Sequence, residues 1–184
     1  MSNIMQWDEL NFLRQIATTF FSQKQKKKDI DHFCDYLEFV LCLVYAYGWK
    51  DAEEIVGDLP MPEGLDDKTV NLEIAGKTFR ERMKEAIEEE DEARADDIIQ
   101  TESHRDYNSA VQDAGTASGL PLMKRWNTML DDRVRETHDY LEGAVVGIDD
   151  AFFTFDGDSA LGPGGFTDPS NNCGCRCYLT LERV

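Results

Sequence analysis

The sequence predicts an α+β protein: an N-terminal helical unit followed by helices packed on a small antiparallel sheet. Three observations carry that expectation. Apolar residues recur at helical spacing from residue 4 to about residue 114. Short β-compatible segments replace them after Leu122. A Gly- and Pro-rich stretch, GDLPMPEGLDDK, separates the first helices from the rest. The 184 residues therefore divide into a helical unit over 1–56, a linker over 57–68 and a second unit over 69–184.

The amphipathic helix over residues 4–22 places Trp7, Leu10, Leu13, Ile16 and Phe20 on one face, and the basic run Lys24–Lys28 ends it. The next helix begins at Asp29 or Asp31 and carries Phe33, Tyr36, Leu37, Val40, Leu41, Val44 and Tyr45. Its second half is apolar nearly all round, so burial on more than one side is expected. Gly48 should stop it, with one further short helix over 50–56. Cys34 and Cys42 read as small core residues and His32 as a surface residue.

Residues 70–74 suit a short strand or an extended approach to a helix. Ala75-Gly76-Lys77-Thr78 resembles the end of a phosphate-binding loop but lacks the Gly five residues before Gly76, where Asn71 stands. A helix start fits better, with Phe79, Met83 and Ile87 as its apolar stripe. From Glu81 to Gln100 acids outnumber bases nine to three, which predicts an exposed helix kinked near Asp91; calcium-loop spacing is lacking. Ile98, Ile99, Tyr107, Val111 and Ala114 restore the apolar period until Gly115 and Gly119 end the helix. His104 on that helix could pair with an acid or meet the C-terminal site; a surface position is the expectation. Leu122–Leu130 then reads as a strand, Arg133–Leu141 as a short helix and Ala144–Ile148 as a second extended piece. Residues 156–172 form a loop, and Arg176–Leu181 is a last strand antiparallel to the first.

Composition narrows the function. The chain is 41% hydrophobic and 30% charged, enough for a packed core. A net charge of -18 argues against direct nucleic-acid binding, which needs clustered Lys and Arg. It suits a solvated surface, a partner with a basic groove, or mimicry of nucleic acid. No signal peptide is expected from MSNIMQWDEL, and the longest apolar run, Phe39 to Tyr47, is too short to span a bilayer. Five Cys disfavour a complete disulfide framework, so reduced thiols in a cytosolic setting are the default.

The chemistry concentrates in the last third. Cys173, Cys175 and Cys177 alternate, so neighbours share one face of an extended chain, and His138 is the His of that region. His138, Cys175, Cys177 and one further ligand would suit tetrahedral zinc, with Cys173 as a spare thiol and Asp131 and Asp139 as oxygen ligands in reserve. A free-thiol strand end, or a disulfide formed outside the cell, also fits the spacing. No catalytic residues are assigned: Cys175 with His138 and Asp131 could in principle form a thiol triad, but a nucleophilic Cys usually opens a helix.

Residues 70–181 resemble the Mu F-like phage head morphogenesis family, also called minor head proteins. Thr101, Glu102, Arg105 and Asn108 match its helix; Trp126, Thr128, Asp131, Arg133, Arg135, His138, Gly143 and Phe152 continue the pattern; Cys175-Arg176-Cys177 closes it. The resemblance implies a non-enzymatic structural protein working by protein–protein contact with other head or portal proteins, in a virion or a bacterial host cytoplasm. Some members that resemble this chain carry Cys-x-x-Cys where it has Arg135 and His138, which makes His138 a ligand position and Arg135 a replaced thiol. The alternative is an acidic phage-encoded inhibitor of a host nuclease or defence complex, anti-CRISPR-like, motivated by the charge and short length.

Overall fold

The computed structural model describes residues 27–184, together with Gln15, Thr18 and Thr19. The helix expected over residues 4–22 and its basic tail fall largely outside the described residues.

Helix α1 (Lys27–Val56) is one continuous element of 30 residues. Gly48 does not stop it, contrary to expectation. Gly48 faces the long central helix α4 (Glu92–Ala117), where a Cβ would lie 2.4 Å from the Tyr107 carbonyl oxygen and 3.1 Å from Ala110 Cβ. The glycine serves close helix approach, and the helix ends instead at Gly57, in the left-handed region at φ 88°. The expected all-round burial is also corrected. Phe33, Cys34, Leu37, Leu41, Val44, Tyr45 and Trp49 are buried, but Tyr36, Phe39, Leu43 and Tyr47 form an apolar stripe that the described residues leave exposed.

After the one-turn helix α2 (Leu65–Lys68), residues 70–74 form no strand; Ile74 and Lys77 close a tight turn by a single bridge. Thr78 and Glu81 then build a reciprocal capping box on helix α3 (Phe79–Glu88), which buries Phe79, Met83 and Ala86. The acidic stretch is two helices rather than one exposed, kinked helix. The chain breaks at Glu90 (φ 55°), and the Asp91 carboxylate caps α4 by accepting the Arg94 N–H at 2.9 Å. Helix α4 runs past Gly115, whose missing side chain admits Ile148: an added Cβ would lie 2.6 Å from its Cδ1.

A three-stranded antiparallel sheet follows, in the order β2 (Val145–Gly147), β1 (Leu122–Asn127), β5 (Tyr178–Arg183). The central strand turns Leu122, Lys124 and Trp126 inward. It stops short of the expected Leu130 because the Thr128 N–H leaves the ladder for the Glu142 carboxylate at 2.6 Å. The helix expected over 133–141 is the single turn α5 (Glu136–Asp139), preceded by a turn in which Asp131 accepts the Arg133 and Val134 N–H groups. A two-residue hairpin, β3 (Phe152–Phe153) with β4 (Ser159–Ala160), and a last turn α6 (Pro169–Asn172) complete the chain. One apolar cluster joins α1, α4, the sheet and the C-terminal loops around Trp126; a second joins the start of α1 to α3 and the start of α4.

Lys124 is fully buried in the sheet, its ammonium donating to Gln112 Oε1 at 2.8 Å above the Phe152 ring. Burial pulls its pKa down to about 8. Across the window from about 8 to its ordinary 10.5 the unfolded chain holds more protons than the folded one, so stability rises with pH there. Urea unfolding across this range should show that alkaline gain in the natural protein and its loss in Lys124→Met. Gly48→Ala tests the helix approach. Ala favours a helix by about 1 kcal/mol over Gly, but crowding against Tyr107 should cost about 1–3 kcal/mol. Denaturant titration is expected to show net destabilisation.

Candidate metal centre

The turn α5 aims His138 inward, and the segment leading into β5 brings Cys175 and Cys177 to meet it. All three side chains are buried. His138 Nδ1 lies 3.5 Å from Cys175 Sγ and 3.4 Å from Cys177 Sγ, and the three donor atoms lie within 4.8 Å of one another. The imidazole is held by aromatic packing. Trp126 meets it edge-on at 5.3 Å, and Phe166 stacks on it at 5.4 Å. Nε2 is buried with no hydrogen-bond partner, so Nδ1 is the nitrogen that faces polar groups.

This geometry fits a tetrahedral ion. Zn–S near 2.3 Å and Zn–N near 2.0–2.1 Å at tetrahedral angles place N and S about 3.5 Å apart, which matches the two Nδ1–Sγ separations. The thiols are also electronically prepared. Cys175 is held well below its usual range, first by the hydrogen bond from Cys177 and then, against burial, by His138. Cys177 is pushed up, chiefly by Cys175. A metal ion bound here would require both thiols to be deprotonated.

The other expected ligands lie elsewhere. Cys173 is exposed and outside the cluster, its carbonyl accepting from Arg135, whose guanidinium also donates to the Ser170 carbonyl. Asp131 makes a two-pronged ion pair with Arg176 at 2.6 and 2.8 Å, which holds its carboxyl down to about 2. Asp139 is exposed.

Helix α4 clasps the segment that carries the thiols. Gly174 (φ 65°) donates its N–H to Thr101 Oγ1 at 3.0 Å, and its carbonyl accepts from Gln100 at 3.3 Å. Asn108 donates to the Cys177 carbonyl at 3.0 Å and accepts the Leu179 N–H at 2.8 Å, pairing with the edge of β5 as a neighbouring strand would. Glu102 serves the opposite joint. It is fully buried between Arg82 at 2.7 Å and Arg105 at 2.5 Å, and Arg105 reaches the Thr69 carbonyl at 2.9 Å. Gly143 (φ 73°) donates its N–H to the Trp126 carbonyl at 3.0 Å, closing the turn after α5.

His104 is buried, correcting the surface expectation, and burial with the nearby Arg176 charge lowers its pKa to about 3. The signal was present: residues 101, 104 and 108 share one helix face. Sequence reasoning missed two residues that shape the approach. Asn172 exchanges hydrogen bonds with the Phe166 backbone at 3.0 and 2.6 Å. Asp158 gathers the Ser159, Thr167 and Asp168 N–H groups and the Asn171 amide. An Asp or Asn in a Gly-rich loop is too common for either to stand out.

Replacing Asn108 by Ala leaves a buried carbonyl and a buried N–H without partners, at about 1–3 kcal/mol each. Asn108→Ala should lower stability by at least about 2 kcal/mol and speed maleimide labelling of Cys177 before global unfolding, read by mass spectrometry.

The family described as phage Mu protein F like protein matches residues 71–180 of the chain. Over 94 residues the chain is 32% identical to minor head protein GP7 of Bacillus phage SPP1, covering 47% of this chain and 29% of that protein. Over 115 residues it is 35% identical to the NAD(+)--arginine ADP-ribosyltransferase EFV of Enterococcus faecalis, covering 59% of this chain and 23% of that protein. The chain therefore spans less than a third of either relative's length. No solved structure matches it. The matched stretch holds α4, β1, β2, the start of β5 and the His138–Cys175–Cys177 cluster, and the chain belongs to the phage Mu protein F-like family.

Proposed function

We propose that this chain acts in phage head morphogenesis as a minor head protein, through protein–protein contacts beside the portal. The observation that carries the reading is the family match over residues 71–180, together with the 32% identity to a relative named as a minor head protein. The structure is consistent with contact work. The residues that carry the family pattern are largely interior: Glu102, Asn108, Trp126 and His138 are buried and tie helices to sheet. Apolar side chains left outside offer surfaces for partners. Tyr140 and Phe155 meet edge-on at 5.9 Å beside Phe153, and each is more than half exposed. Among the described residues no helix is long and apolar enough to cross a membrane.

A zinc-class ion at His138, Cys175 and Cys177 would serve this role as a clip. The three-stranded sheet is short, and the chain between β2 and β5 is mostly loop. An ion there ties the end of that loop to α5 and adds binding free energy to folding.

Procapsids and mature heads of the source phage or prophage, purified and analysed by mass spectrometry, should contain a few copies of the chain per head. Its absence from both would sink the proposal. Phe155→Ser together with Tyr140→Ser should leave the melting temperature nearly unchanged while lowering incorporation into heads. Unchanged incorporation would move the contact surface elsewhere.

A further inference from the structure

We infer that the His138–Cys175–Cys177 centre is a three-ligand site whose metal ion keeps one coordination position open to an anionic donor from outside the cluster. The inference rests on the reading that the cluster binds a metal, and it goes beyond a closed structural clip.

Three observations lead to it. First, among the described residues only three His, Cys, Asp or Glu donor atoms gather at this point. Cys173, the obvious fourth, is fastened away from it. Its N–H donates to the Pro169 carbonyl at 2.9 Å, its carbonyl is taken by Arg135, and the next residue is tied at both backbone groups to α4. Its thiol remains exposed. Second, His138, Cys175 and Cys177 all line one small cavity of about 10 Å³, near the room that a single water needs. Three tetrahedral ligands facing a common void leave the fourth vertex toward it. Third, the rest of the cavity lining carries three basic residues, Arg133, Arg135 and Arg176, beside Met129, Val134 and Gly174. Two thiolates neutralise a divalent ion, so these guanidiniums, answered nearby by Asp131, favour an anion at the fourth position.

Arg135 explains why the site is open. It lies one turn before His138 and lines the same cavity, the place from which a fourth protein ligand would come. Its guanidinium turns instead to the Ser170 and Cys173 carbonyls. The isolated protein would therefore hold water at the open vertex, and a thiolate or carboxylate presented from outside would replace it. Sites closed by four protein ligands do not exchange in this way, whereas three-ligand sites do.

The test uses full-length, tag-free protein loaded with cobalt(II) in place of zinc. Sulfur-to-cobalt charge-transfer bands report the thiolates, and the visible ligand-field bands report the fourth ligand. One cobalt per chain is expected, with ligand-field bands that shift saturably when azide, and separately mercaptoethanol, is added. Cys173→Ser should leave both the bands and the shift as they are. Arg135→Cys should abolish the azide response and tighten metal binding at least tenfold, measured by competition with a chromogenic chelator. Azide-insensitive bands in the natural protein would overturn the open position while leaving the metal reading intact, as would a loss of bands in Cys173→Ser. No charge-transfer band and no bound metal by elemental analysis would overturn both. The azide titration of the natural protein stands by itself should Arg135→Cys fold poorly.

Discussion

The fold depends on one constraint: the polar side chains of α4 that point inward must all find partners. Glu102, Arg105, Asp106, Asn108 and Gln112 are buried on a helix that crosses the centre of the molecule. A polar group buried without a hydrogen bond costs on the order of 1–3 kcal/mol, and a charge costs more. Docking is therefore permitted only where Arg82, the Thr69 carbonyl, the Cys177–Leu179 backbone and the Ile148 carbonyl meet those groups together. An apolar helix of the same length would tolerate sliding; this one does not. The buried ion pairs are weak sources of net stability, but breaking one is costly, so they fix where the helix sits rather than how firmly. Asp106 shows the expense of the arrangement: burial lifts its carboxyl to about 7 even beside Arg105.

The His–Cys cluster follows from the same helix. Thr101 and Asn108 stand two turns apart and hold the backbone on either side of Cys175 and Cys177, so the thiols are placed by their main chain. His138 is placed from the other direction, by Trp126 and Phe166. The loop that supplies Phe166 crosses α4 at Gly164, where a Cβ would come within 2.8 Å of Arg105 Cβ. Positioning of the three donors is thus distributed over α4, β1 and the loop before α6. A donor set assembled from distant segments exists only in the folded chain, so a metal ion bound there would be linked to folding.

Helix α1 links the two apolar clusters and has two unlike faces. Its buried face gives Leu37 and Leu41 to one cluster and Val44, Tyr45 and Trp49 to the other. Its opposite face leaves Tyr36, Phe39, Leu43 and Tyr47 uncovered by the described residues. The glycine that allows α1 to approach α4 so closely is an ordinary helix breaker in a sequence, which is why Gly48 reads there as a stop.

The sequence by itself determined the α+β class, the periodicity of the helices, the antiparallel strands at 122 and 178, and the residue types of the candidate ligands His138, Cys175 and Cys177. Each rests on local spacing or residue type, and these survive folding because they set which face of an element is apolar and which atoms can bind. Tertiary structure decided the remainder. Gly48 and Gly115 became points of close packing once a second element lay against them. His104 moved inside because its helix neighbours Thr101 and Asn108 face the Cys segment. The even spacing of Cys173, Cys175 and Cys177 makes the three thiols equivalent along the chain, yet only two face His138. Gly174 turns the backbone into the left-handed region between the first and second, and α4 and Arg135 hold it there. Such choices depend on atoms more than 30 residues away along the chain, which no local pattern encodes.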